Sequence, residues 1–277
     1  MSEKAEKLNK LAKDVLILSR NTLLVNLRFL DAALSQFAFF SIEESTLLTD
    51  GKHILYNPRH ILENYKTAKE IPVRDYLHIV MHCVFRHMYM DPRLNRPYWD
   101  LACDIAVENV ITELGLKAVT TARERRQTQY IAAIQKELKH VTAEKIYSYL
   151  RQTVPDPNKI AEIRGLFYAD NHEIWYMTGQ EIEARFGLSS GPGEEENGTE
   201  SRAVMAAVWT GISERMQVDL ETFGKQRGLL PGAMTQNLQA VNREKYDYTS
   251  FLKKFAVMGE AMKINDDEFD YIFYTYG

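Results

Sequence analysis

Cysteine is scarce in this chain of 277 residues, with Cys83 and Cys103 the only two. That excludes a disulfide framework and fits a reducing compartment. With no CxxC pairing, both are read as small buried hydrophobes. Long apolar runs are also missing. No stretch reaches the roughly 18 apolar residues of a membrane span, and the opening "MSEKAEKLNKLAKD" is charged from the start, unlike a secretory signal. Neither sign of charge dominates: 34 Lys and Arg against 38 Asp and Glu leave a net charge of −4. Composition therefore gives no reason to expect nucleic acid or an anionic membrane as a partner. Repeats of about 20 to 50 residues and a phosphate-binding glycine loop are absent, so solenoid and nucleotide-binding readings have no support. What is present is a 45% hydrophobic composition, ample for a core. The expectation is a bacterial-type cytoplasmic globular protein.

Apolar residues three or four apart (Leu8, Leu11, Val15, Leu18, then Leu23, Leu27, Leu30, Leu34) predict one long or two shorter helices from Lys4 to about Phe40. In "STLLTDGKHILYNP", Asp50-Gly51 separates two short apolar runs and predicts an antiparallel hairpin. Pro72 precedes a helical run from Val73 to Met90, and Trp99 to Leu114 is a second helix stopped by Gly115. Further on, "TAEKIYSYLRQ" predicts a helix with Thr142 as its cap, "VPDPN" is a break, and Arg123 to Arg126 read as a solvated face. The nearly apolar-free stretch from Ser189 to Ser201 is the linker candidate, and its Asn197-Gly-Thr triplet carries no meaning in a cytosolic protein. Helices are expected over residues 203–226 and 248–262, before an aromatic, β-prone end, "DEFDYIFYTYG", which suggests a chain cut from a longer protein. The expected class is mainly α (α+β), with a main body over 1–188, a linker over 189–201, and a helical C-terminal part of the same domain over 202–277.

Three of the seven histidines fall within "DYLHIVMHCVFRH", residues 75 to 87. At about 100° per residue, positions four apart share a helix face, so His78 and His82 can aim at one point, as two zinc ligands do. Asp75 shares that stripe and could orient an imidazole or cap the helix. His87, nine beyond His78, points away unless the helix bends or ends, and a structural role is favoured for it. On the next helix Asp104 and Glu108 are again four apart. Asp104, set among Leu101, Ala102, Ile105 and Ala106, is the choice for third ligand, because an unpaired carboxylate there would be costly. Asp170 and His172 in "YADNHEIWY" form a second candidate pair. Two blander readings stand beside these: Asp104 and Glu108 as surface acids, and buried neutral histidines bonded to Asp75 and Asp104 without metal.

Most of the chain, through "LLTDGKHILYNP", "YLHIVMHCVFRH", "WDLACDIAVEN", "TAEKIYSYL", the Asp170-His172-Trp175 segment and the closing "DEFDYIFYTYG", resembles the N-terminal metallopeptidase domain of proteins that end in a von Willebrand factor A-like domain. The resemblance implies a zincin-like fold with zinc held by His78, His82 and Asp104. It also exposes departures. The family's HExxH motif has glutamate where this chain has Ile79, and its asparagine four after the aspartate is Glu108 here. Without that glutamate the general base of a zinc peptidase is missing. The resemblance thus implies a metal-binding, catalytically impaired module that recognises a protein or peptide ligand. Its implied partners are the von Willebrand factor A-like domain and a MoxR-type AAA ATPase. The alternative is an active zinc-dependent peptidase using another base, for which Glu108 is the candidate.

Overall fold

The computed structural model describes residues 3–43, 46–89, 93–188, 198–227 and 232–242. Over these the chain is mainly helical with one small sheet, as expected. Helix α1 (Glu3–Asn26) follows the predicted leucine spacing and buries Ala12, Val15, Leu16, Ser19 and Leu23. Of the one long or two shorter helices expected up to about Phe40, the first ends at Asn26. A 3-10 turn (Arg28–Leu30) and the four-residue α2 (Asp31–Leu34) intervene, and Ala38–Ser41 is strand β1. The reason is tertiary: β1 pairs in parallel with β3 (His53–Tyr56), from Ala38 opposite His53 to Ser41 opposite Tyr56. Strand β2 (Leu48–Thr49) pairs antiparallel with β3, so the predicted hairpin is present and carries a third strand, in the order β1-β3-β2.

The hairpin turn is built as its sequence demands. Asp50 Oδ1 accepts from the N–H groups of Lys52 and His53, at 2.8 and 2.6 Å. Gly51 has φ +90°, and a Cβ there would lie 2.6 Å from Tyr89 Oη. Its carbonyl accepts from Trp209 Nε1 at 2.8 Å, tying the turn to a C-terminal helix.

Helix α3 (Pro58–Thr67), capped by the Asn57 side chain, leads to α4 (Glu70–Val84). Pro72 lies inside the first turn of α4, where no N–H is needed, so the helix starts earlier than Val73. It ends at Val84, six residues before the expected Met90. There Arg86 turns left-handed (φ 56°), Arg86 N–H bonds the Cys83 carbonyl, and His87 N–H bonds the His82 carbonyl, the pattern of a Schellman stop. Helix α5 (Arg96–Glu113) follows, and every residue of it from Tyr98 to Ile111 is buried.

Helices α6 (Glu124–Glu137), α7 (Ala143–Thr153) and α8 (Pro157–Phe167) pack around the first half of α5, and α9 is Gly179–Phe186. Thr142 stands at the N-cap position of α7, but its side chain makes no cap bond. Helix α10 (Gly198–Arg227) begins inside the expected linker and packs against α4 and α9. Helix α11, residues 232–242, has its first amides held by the Glu113 carboxylate. The expected helix over 248–262, the closing aromatic segment, Asn197 and most of the expected linker lie outside the described residues. No helix among the described residues is long and apolar enough to cross a membrane.

Two apolar clusters result. One joins α1, the sheet, α4, the second half of α5 and the C-terminal helices. The other joins the first half of α5 to α6, α7 and α8. The polar side chains of α5 sit where these two clusters meet.

Candidate metal centre

Helices α4 and α5 run antiparallel, and each presents a polar stripe with a four-residue step. Arg74 and His78 on α4 meet Glu108 on α5, His78 and His82 meet Asp104, and Asp100 lies one step further along α5, all six buried. Burying six such side chains is tolerable only if they satisfy one another or a ligand.

At the middle of the ladder, donor atoms of His78, His82, Asp104, Asp170 and His172 all lie within 4.8 Å of one another. The structure thus brings together His78, His82 and Asp104, and adds the second candidate pair to the same cluster. Asp104 Oδ1 is 3.4 Å from His78 Nε2, 3.4 Å from His82 Nε2 and 3.2 Å from His172 Nε2. Asp170 Oδ1 is 3.4, 3.9 and 3.1 Å from the same three nitrogens. The Nε2 atoms of His78 and His82 face each other at 2.8 Å.

These separations suit donors gathered around a common ion. Bonds of about 2.0–2.2 Å to nitrogen and oxygen place neighbouring donors about 3 to 4 Å apart. Asp104 Oδ1 is buried without a hydrogen-bond partner, although three ring nitrogens surround it. Two carboxylates and three neutral imidazoles also balance the charge of one divalent cation. The residues present therefore fit a metal ion.

Each imidazole is oriented from behind, as metal-bound histidines require. His78 Nδ1 is 2.8 Å from Glu108 Oε1, and Glu108 Oε2 accepts from Arg74 Nε and Nη2 at 2.9 and 2.6 Å. His172 Nδ1 is 3.4 Å from Asp100 Oδ1, and Asp100 is held by Arg164 at 3.0 Å and the Tyr176 hydroxyl at 2.6 Å. His82 Nδ1 is 3.0 Å from His87 Nδ1. His87 thus lies beside the cluster, behind His82, because α4 ends instead of continuing. Trp175 stacks on His172 at 3.7 Å and meets His82 edge-on at 5.0 Å, closing the site.

Electrostatics follow from this packing. Burial opposes charging His78, but Asp104, Asp170 and Glu108 outweigh it and hold the ring well above the ordinary histidine range. His172 is raised in the same way by Asp170 and Asp104. Burial and the neighbouring His78 push His82 down to about 4, and burial and His82 lower His87. Burial would raise Glu108, yet Arg123, His78 and Arg74 hold it down to about 2. A divalent cation entering the cluster would displace the protons held on His78 and His172.

Two further expectations change. Asp75 neither caps α4, which begins five residues earlier, nor touches an imidazole: it pairs with Arg123 at 2.6 Å. Arg123 consequently turns inward from the run read as a solvated face, while Arg125 and Arg126 are exposed. The residues that sequence reasoning missed, Asp100 and Arg74, carried a usable signal. Each extends a four-residue stripe already noticed, by one step before Asp104 and one before His78.

A buried cluster of histidine and aspartate on two antiparallel helices, closed by a loop, defines a helical domain whose centre could hold a metal ion. The chain belongs to the family described as "Putative metallopeptidase domain", whose model matches residues 12–264. No curated protein and no solved structure matches it.

Proposed function

We propose that this chain is a zinc-binding, catalytically impaired member of its family, acting in the cytoplasm as the protein-interaction module of a larger protein. His78, His82 and Asp104 hold the metal from the helices, with Asp170 and His172 completing the shell. Zinc is the metal best matched to mixed nitrogen and oxygen donors. The observation that carries the reading is the convergence of five buried donors in one cluster. Ile79 is fully buried in the apolar cluster and cannot take a proton. Glu108, the candidate replacement base, has one oxygen on His78 and the other on Arg74. By resemblance, a von Willebrand factor A-like domain follows in the parent protein and a MoxR-type AAA ATPase is its partner.

The test is elemental analysis of untagged protein, wild type beside His82→Ala, with a peptide-library assay on the zinc-loaded full-length parent. About one zinc per chain, lost in the variant, with no peptide cleaved, is expected. Cleavage that disappears with His82→Ala would establish the alternative, an active zinc peptidase.

A further inference from the structure

The five donors are not held alike. His78, His82 and Asp104 project from helices packed on both sides, whereas Asp170 and His172 lie on a short arm, residues 168–172, between the end of α8 and the 3-10 turn Glu173–Tyr176. At one end of the arm Tyr168 is exposed, and at the other Ile174 and Trp175 are anchored in the apolar core. The Asn171 N–H donates to the Leu47 carbonyl at 2.8 Å, joining the arm's backbone to the edge of the sheet. The arm and its anchor also bury two polar atoms without hydrogen-bond partners: Asp170 Oδ2 and Trp175 Nε1. Unsatisfied buried atoms weaken docking, so something in the cluster must draw the arm inward.

Resting on the metal reading above, we infer that Asp170 and His172 are displaceable internal ligands, and that the centre accepts an external carboxylate or similar anionic oxygen donor when the arm swings out. Removing the arm leaves two imidazoles and one carboxylate, the number of protein ligands that keeps a zinc site open. It also leaves the centre one positive charge in excess, which an anionic oxygen donor in Asp170's place would neutralise. Ile174 and Trp175 need not leave the core, since the pivot lies just before them. A peptide carboxylate fits the ligand class. Such a centre binds and releases a partner's acid without needing the general base that Ile79 cannot supply.

The test uses the cobalt-substituted full chain and acetohydroxamate, an anionic oxygen donor, followed by the visible spectrum. Wild type should hold about one cobalt per chain and respond weakly to acetohydroxamate. Asp170→Ala/His172→Ala should keep its cobalt and respond at about tenfold lower acetohydroxamate. Tyr176→Phe, which loses the 2.6 Å bond to Asp100 at the arm's root, should fall between the two. A folded double variant without cobalt makes the arm residues obligatory ligands and overturns the inference. So does a wild-type response equal to the variant's. If the double variant does not fold, Tyr176→Phe decides alone: a stronger response than wild type supports the inference and an unchanged one overturns it. Wild type that takes up neither zinc nor cobalt defeats the metal reading itself, a different result from any of these.

Discussion

The helix-borne and arm-borne halves of the centre differ in what fixes them. His78, His82 and Asp104 are set by the pitch of two helices whose central residues are all buried, so moving any one of them means moving a core element. Asp170 and His172 are set by a few loop residues tied to the sheet through one main-chain bond to Leu47 and to α5 through Tyr176. The contrast teaches that one cluster can combine a rigid base of donors with a replaceable closure. Rigidity comes from packing on both faces, and replaceability from a short, sparsely bonded tether.

The sharpest way to break this comparison is to remove one aspartate from each half. Asp104→Ala should abolish stoichiometric zinc, leaving Asp170 on the arm as the cluster's one carboxylate beside three imidazoles, while Asp170→Ala should weaken binding by no more than about 100-fold. Competition against a chromophoric chelator measures both, and equal losses would erase the distinction. Next in size is Ile79→Glu. That position is fully buried among apolar side chains, so the variant should lose about 3 kcal/mol or more of stability instead of gaining a base. Thermal unfolding beside a peptidase assay checks it.

Glu108→Gln probes the support behind the rigid half. It should lower zinc affinity about 10- to 100-fold by loosening His78. It should also change the acid limb of stability. The Glu108 carboxyl is held at about 2 against an ordinary 4.5. Its stabilising contribution, about 3 kcal/mol, is therefore complete above the ordinary value and lost as pH falls from there toward 2. The variant should be less stable than wild type near neutrality and converge with it in acid, as urea midpoints across that window will show. The smallest effect is expected from His87→Ala. It removes the partner of His82 Nδ1 but no donor, and should cost about tenfold in affinity. A loss as large as that of Asp104→Ala would move His87 into the rigid half.

The rigid half is also the half that sequence spacing can reveal. His78 with His82, and Asp104 with Glu108, are four apart, and helical pitch alone places each pair on one face. Nothing local places Asp170 and His172 beside them, because that depends on how α8 and the sheet pack. Reading His87 as pointing away assumes that α4 continues, whereas Arg86 stops it. The hairpin is legible because Asp50 and Gly51 are needed for its turn. Strand β1 is not, since the leucine spacing runs on into "QFAFF" and the partner that makes it a strand, β3, lies across the turn. Arg123 reads as solvated because a run of charges carries no record of the buried Asp75 that pairs with one of them.

Arg86 carries two duties that pull in opposite directions. Its backbone adopts the left-handed conformation that glycine enters most cheaply, while its guanidinium reaches Thr210 Oγ1 at 3.0 Å and the Val241 carbonyl, clasping the C-terminal helices. Glycine would relieve the turn and surrender the clasp; any other long side chain would keep the strain without the five-donor fork. The position is therefore a narrow point in sequence space. Drift there trades the turn that delivers His87 against the seam holding α10 and α11 to the end of α4.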